Sequence, residues 1–343
     1  MLRLPSFRFE TPNRLEEVVE ILAGEGPAAR AVAGGTDLWP NMKRRHQTAE
    51  TVVSLMRVPE LAGVSNDLAR HGELSIGATT LLADIETNQG VRTRFPALAR
   101  AVASISSPPL RNMGTLGGNL CLDTRCTYYN QTEEWRRSID YCMKEKGTVC
   151  WVAPSSSRCW AHSASDAAPM LCALDARVLL VSDDVERDLA LEDLYVDDGI
   201  AYLAKNSKEL VTRVLVPGKS SADRCRSSFW KLRRRGSIDF AVLSSAVALW
   251  LDEDSTVSDA RIFLGAVSSA PLAVPAASKV LCGHRIDERR IREAARLARK
   301  AATPLDNTDF RTQWRSLMVE RYTEAALREA AGLPQERLAP PHP

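Results

Sequence analysis

Five of the chain's eight cysteines, Cys121, Cys126, Cys142, Cys150 and Cys159, fall in one short stretch, whereas Cys172, Cys225 and Cys282 are scattered singly through apolar surroundings. In a reducing compartment structural disulfides are disfavoured, so clustered thiols point to metal or redox chemistry. Four thiolates suit a tetrahedral zinc ion or an iron–sulfur cluster. The only candidate for a zinc knuckle is Cys121-x₄-Cys126, and the ferredoxin run C-x₂-C-x₂-C is absent. Spacing alone therefore leaves zinc, cluster and packed thiols open.

Two glycine motifs offer a second chemistry. "AGGTD" (Ala33 to Asp37) ends an apolar run, and "GTLGGN" (Gly114 to Asn119) follows a helical pattern. Without a Cβ, successive N–H groups can converge on phosphate oxygens, and a threonine hydroxyl adds a donor. Neither motif is a Walker loop or the G-x-G-x-x-G fingerprint, and a plain tight turn explains either one alone.

A chain of 343 residues can bury a large core and is expected to form two or three domains. With 45 basic and 43 acidic residues the net charge is +2, which suggests neither nucleic acid nor an anionic membrane as a partner. No apolar run reaches the roughly 18 residues of a membrane span. The opening "MLRLPSFRFETPNRLEEVVE" turns acidic before a secretory apolar region could form, so a soluble, cytoplasmic protein is expected.

The elements that must position these residues alternate along the chain. "TPNRLEEVVEIL" predicts a helix capped by Thr11 with Pro12 at its first position, burying Leu15, Val18, Val19 and Leu22. "ARAVAGGTDL", "TVVSLM" and "ELSIGATT" read as strands, "FPALARAVASI" as a helix, and "APMLCALDARVLLVS" as helix then strand. "ELVTRVLVP" is a strand ended by Pro217, and "PGKSSADRC" is a linker. Beyond it, "FAVLSSAVALWLDED" and "VSDARIFLGAV" predict antiparallel strands about an acidic turn, and helices near Glu288 to Ala302 and Phe310 to Ala331 close the chain. The fold class is α+β.

"AVAGGTDLWPNMK", "SIGATT", "RNMGTLGGNL", "DAAPMLCALDA" and "WKLRRRGSIDFAVLSSAVAL" together resemble the FAD-binding subunit of molybdenum hydroxylases, over roughly Leu4 to Gly332. The resemblance implies a two-lobed FAD-binding domain of the PCMH type over 1–217, carrying an insertion at about 121–160. A smaller antiparallel sheet-plus-helices domain of the CO dehydrogenase flavoprotein type would follow over 225–332, with a tail at 333–343. Ala31, Val32, Ala33, Gly34, Gly35, Thr36, Asp37, Leu38 and Trp39 would form one FAD pyrophosphate loop. Gly114, Thr115, Gly117, Gly118 and Asn119 would form the second, with Ile105 ahead of it. Asp166 would contact FAD, Lys231 would lie near the flavin, and Leu210 and Val211 would border it. By local chemistry alone, Asp166 could be a helix N-cap, and Lys231, beside Arg233, Arg234 and Arg235, part of a solvated face.

In most members of this family the second loop passes almost directly to that aspartate, whereas here 166 − 119 = 47 positions separate Asn119 from Asp166. The insertion resembles that of the flavin subunit of 4-hydroxybenzoyl-CoA reductase, which carries a [4Fe–4S] cluster. The resemblance implies Cys126, Cys142, Cys150 and Cys159 as cluster ligands, leaving Cys121 as a packed or spare thiol; Cys172, in an apolar helix pattern, reads as core. Trp135, Trp151 and Trp160 are expected to shield the site, and His162 to be a surface or capping residue.

The function implied is electron transfer within a complex. A ferredoxin-like donor would deliver electrons through the cluster and FAD to a [2Fe–2S] subunit and a molybdopterin catalytic subunit, in a dimer of heterotrimers. That complex would convert 4-hydroxybenzoyl-CoA to benzoyl-CoA, and this chain alone would not act on the substrate. An FAD subunit of an oxidative molybdenum hydroxylase and a flavin scaffold with a structural zinc loop are the alternatives.

Overall fold

Three sheets organise the chain in the computed structural model, which describes residues 3–65, 72–183 and 185–334. The expected tail lies, from 335 onward, outside the described residues. Strands β1 (Arg8–Glu10), β2 (Ala29–Val32) and β3 (Thr51–Ser54) make a small parallel sheet in the order β1-β3-β2. The helix Leu15–Glu25 packs Val18 and Leu22 against Ala29 and Val53 of this sheet. It begins at Leu15 rather than at Pro12. The N-cap position falls on Arg14, three residues after Thr11, and Glu17 accepts the Asn13 N–H (3.1 Å) ahead of it.

A second, antiparallel sheet runs β4-β5-β8-β6-β7, with β4 at Val64–Ser65, β5 at Glu73–Gly77, β6 at Arg177–Val181, β7 at Glu186–Ala190 and β8 at Leu210–Pro217. Helices Pro96–Ala103 and Ala167–Ala173 bury Leu98, Val102, Met170 and Leu171 in the same core as Leu74, Ile76 and Val214 of that sheet. Cys172 is part of this core.

The third sheet, β12-β11-β10-β9, is built from β9 (Cys225–Leu232), β10 (Leu243–Leu251), β11 (Val257–Gly265) and β12 (Leu272–Ala273). In β10 the alternate residues Val247 and Leu249 face helices Glu288–Ala301 and Thr312–Ala330, while Ala246 and Ala248 join the core of the first two-thirds of the chain. Burial on both faces explains why β10 is an unbroken apolar run although antiparallel strands usually alternate. The last helix starts at Thr312, after Phe310 turns through φ 68°. No helix among the described residues is long and apolar enough to cross a membrane.

The insertion is mostly turns around one short helix, Glu133–Ser138, capped by Thr132. Its rigidity comes from a buried cation. Arg136 is 1% exposed and donates to Glu145 Oε2 (2.6 Å), Glu133 Oε2 (2.6 Å) and the carbonyls of Gln131 (2.7 Å) and Arg44 (2.9 Å). Other bonds anchor the insertion to the C-terminal part: Thr127 N–H donates to Asn307 O (2.9 Å) and Asn307 Nδ2 to Trp160 O (2.6 Å). At its base Arg125 and His162 form an antiparallel bridge.

Candidate functional site

The two glycine motifs meet. A Cβ on Gly34 would lie 1.6 Å from the Met113 carbonyl oxygen, so only glycine lets the first loop lie against the second. Gly35 adopts φ +70°, and a Cβ there would strike the Trp39 ring. The second motif is the start of a short helix, Leu116–Leu120, rather than a free turn. Thr115 caps it, its Oγ1 accepting the Gly118 N–H at 3.2 Å. Asn119 ties this helix to the next segment, because its Oδ1 accepts from Ser165 Oγ (2.8 Å) and the Ala167 N–H (3.3 Å).

A cavity of about 580 Å³ opens between these loops, β8 and the loop Ile238–Phe240. All of the residues expected around a flavin line it, from Ala31 to Leu38, Ile105, Gly114, Thr115, Gly117 to Asn119, Asp166, Leu210 and Val211, with two exceptions. Trp39 turns away and stacks on Phe7 with ring centroids 5.7 Å apart. Lys231 stands behind the wall, 4% exposed, its Nζ on Asp166 Oδ2 (2.6 Å) and Ser104 O (2.9 Å).

Lys231 is thus no part of a solvated face. Arg234 and Arg235 are, pairing with Asp309 and Asp239 at exposed positions. Asp166 occupies the N-cap position of helix Ala167–Ala173 without capping it, because its carboxylate is turned to Lys231. Burial raises the Asp166 carboxyl above the usual range, and Lys231 opposes that shift. Its second oxygen, Oδ1, is buried without a partner. An unpaired carboxylate oxygen on a residue of the cavity wall fits a ligand bearing hydroxyl or ring N–H donors.

Arg125 and Tyr202 also line the cavity, as does Phe240; Phe240 lies in the motif that begins at Trp230, and no sequence motif signals the other two. They come from the insertion, the turn after β7 and the C-terminal part, which only the fold brings together. Behind them, Lys144 is buried with its Nζ on Asp123 Oδ1 (2.7 Å) and Thr124 Oγ1 (2.6 Å), near the rings of Tyr129 and Tyr202. Cys121, expected as a packed or spare thiol, lies on the cavity wall.

Cys126, Cys142, Cys150 and Cys159 are each buried at 4–8% exposure, and three of them share one packed cluster with Tyr129 and Ala161. Burial pushes the Cys126 thiol up to about 12 and the Cys159 thiol to about 11, and raises Cys142. Backbone N–H groups oppose burial at all three sulfurs: Tyr128 and Tyr129 at Cys126, Lys144 and Glu145 at Cys142, and Ala161 at Cys159 (3.4 Å). Such donors favour thiolate over thiol. Among the described residues no three Cys, His, Asp or Glu side chains are close enough to hold a single metal ion.

The aromatic surroundings differ from expectation. Trp135 and Trp151 are 38% and 39% exposed, whereas Tyr129 and Ala161 pack with the cysteines. Trp160 carries Arg158 over its ring at 3.5 Å. His162 is buried rather than at the surface. Burial depresses its pKa to about 4, and its Nδ1 lies 2.9 Å from Ser163 O.

A family described as the FAD binding domain in molybdopterin dehydrogenase matches residues 5–219, and the CO dehydrogenase flavoprotein C-terminal domain matches residues 227–330. The chain belongs to this family of FAD-binding subunits. It is 26% identical to the 6-hydroxypseudooxynicotine dehydrogenase complex subunit alpha of Paenarthrobacter nicotinovorans, covering 96% of each chain. It is 25% identical to the carbon monoxide dehydrogenase medium chain of Hydrogenophaga pseudoflava, over 94% of this chain and 97% of that one. The solved carbon monoxide dehydrogenase from Hydrogenophaga pseudoflava superposes with a TM-score of 0.78 at 23% identity, over 96% of this chain and 99% of its counterpart, and shares the fold.

Proposed function

We propose that this chain is the flavin subunit of a molybdenum-containing complex of the 4-hydroxybenzoyl-CoA reductase type, with a [4Fe–4S] cluster on Cys126, Cys142, Cys150 and Cys159. The single observation that carries the reading is the buried cysteine quartet, three of its sulfurs met by backbone N–H groups, one buried lysine away from the flavin cavity. When bound, the two cofactors supply electron transfer. The chain's own residues place and insulate them. Gly34 and Gly35 bring loop backbone to the cavity, Gly117 and Gly118 line it at the start of a helix, and Asp166 offers an unpaired oxygen, held in position by Lys231. Burial around the cysteines keeps water from the iron site, which helps set its potential.

In this reading a ferredoxin-like donor delivers electrons at the insertion. A [2Fe–2S] subunit and a molybdopterin subunit, in a dimer of heterotrimers, carry out the dehydroxylation, so the chain alone leaves the aryl-CoA substrate untouched. An FAD subunit of an oxidative complex is the second reading, and it is favoured by names among the relatives such as nicotinate dehydrogenase FAD-subunit and nicotine 6-hydroxylase medium subunit. The test is iron, zinc and acid-labile sulfide analysis of the chain purified without oxygen, followed by assay of the whole complex for aryl-CoA reduction. Four irons and four sulfides with aryl-CoA reduction are expected. Zinc in place of iron would remove the relay, and iron with oxidative hydroxylation alone would favour the second reading.

A further inference from the structure

Arg125 directly precedes the first of the four cysteines, yet its side chain lines the flavin cavity. Reciprocal backbone bonds with His162, 2.8 Å each way, fix its main chain. Its Nη2 donates to Asp37 Oδ1, and its guanidinium carbon sits 4.7 Å from the centre of the Phe240 ring. A carboxylate on one edge and a ring on one face leave little freedom to the fork of donors. Its Nε is nevertheless buried with no protein partner. Native proteins rarely leave such an N–H unpaired, because an unmade buried hydrogen bond is costly.

The charge balance around it suits an anion. Asp37 is offset by Arg125 and Asp123 by Lys144. An incoming negative group therefore meets paired carboxylates and a guanidinium with a donor to spare. Rigid arginine forks favour carboxylate and phosphate oxygens.

We infer that Arg125 is a further FAD-positioning residue, supplied by the cysteine insertion, whose Nε–H donates to an oxygen of the bound dinucleotide. The inference rests on the reading of this cavity as the FAD site. One dipeptide, Arg125–Cys126, then serves both cofactor sites, and FAD retention depends on the order of the insertion.

The test uses the full chain stripped of flavin and titrated with FAD, with ADP as a competitor. Arg125→Gln should weaken FAD by about 10- to 100-fold, the range of a hydrogen bond from a charged donor, and Arg125→Lys by an intermediate factor. The lysine variant keeps a cation beside Asp37 and carries the test if the glutamine variant does not fold. The same glutamine substitution is made in an Asp37→Asn background, since an arginine acting only by neutralising Asp37 loses its effect there. FAD affinity within about twofold of the parent chain for Arg125→Gln, or no effect in the Asn background, overturns the proposal. A matching loss for ADP places the contact on a pyrophosphate oxygen, and an unchanged ADP affinity places it on the flavin ring. A parent chain without measurable FAD affinity would overturn the cavity reading itself, which is a different result from equal affinities in parent and variant.

Discussion

Replacing Lys231 with methionine isolates the electrostatics of the cavity wall. Methionine keeps the length and apolar stem of lysine but withdraws the ammonium 2.6 Å from Asp166 Oδ2 and the donor 2.9 Å from Ser104 O. Both partners of the pair are 4% exposed, so solvent screens little of the loss. Stripping one member from a buried pair costs about 3–5 kcal/mol, because the remaining charge is left uncompensated. The penalty must depend on pH. Burial already holds the Asp166 carboxyl above its ordinary value, and removing Lys231 takes away the charge that opposes that rise. A carboxyl whose folded pKa exceeds its unfolded value binds more protons in the folded state. Its destabilising effect is absent below the unfolded pKa of about 3.9 and grows as pH rises toward the folded pKa. Urea unfolding of Lys231→Met, followed by tryptophan fluorescence from pH 5 to pH 8, should show a gap from the parent chain that widens with pH. Asp166→Asn in the same chain should close most of that gap. A gap equal at both ends of the range, or a double variant no more stable than the single, refutes the argument.

Single alanine replacements of Cys126, Cys142, Cys150 and Cys159 should each lose iron and sulfide, whereas Cys121→Ala, on the cavity wall, should keep both; anaerobic metal and sulfide analysis reads the difference. Gly118→Val should fold yet lose flavin, since a Cβ there meets only Thr115 Oγ1 at 3.0 Å and otherwise faces the cavity, whereas Gly117→Val should fail to fold because its Cβ would press within 2.9 Å of the Ala78 backbone; soluble yield and bound-flavin absorbance separate the two. Arg136→Met should leave the buried Glu145 without its cation and cost about 3–5 kcal/mol locally, seen as early proteolysis within the insertion.

Much of this architecture is legible in the sequence because local pattern and burial agree. The runs at Val52–Val53 and Leu243–Leu251 are strands, and the Glu288 helix starts where its pattern does. The glycine loops are legible as motifs through the family resemblance, although the approach of Gly34 to Met113 leaves no local trace. What escaped is long-range. Arg125 finds Asp37, 88 residues away, and Arg136 reaches His46, 90 residues away. Neither pairing leaves a local trace. His162, expected as a surface or capping residue, is buried, because a lone histidine after a cysteine has no pattern to reveal its bridge with Arg125. The tryptophans erred the other way: a large apolar side chain suggests burial, but Trp151 needs only its indole N–H on Tyr141 O (2.6 Å) to be held at the surface.

The Arg125–His162 bridge also bears on how such a protein could arise. It brings together the two ends of a segment of 161 − 126 + 1 = 36 residues. Closing a loop of that length costs only about 3 kcal/mol in chain entropy, and doubling it would add roughly 0.6. An ancestral flavin subunit with a short turn at this point could acquire the whole cysteine module in one genetic event, and a descendant could discard it in one. The module is in that sense portable, and grafting residues 126–161 onto the corresponding turn of a carbon monoxide dehydrogenase medium chain would show whether its two ends suffice to seat it.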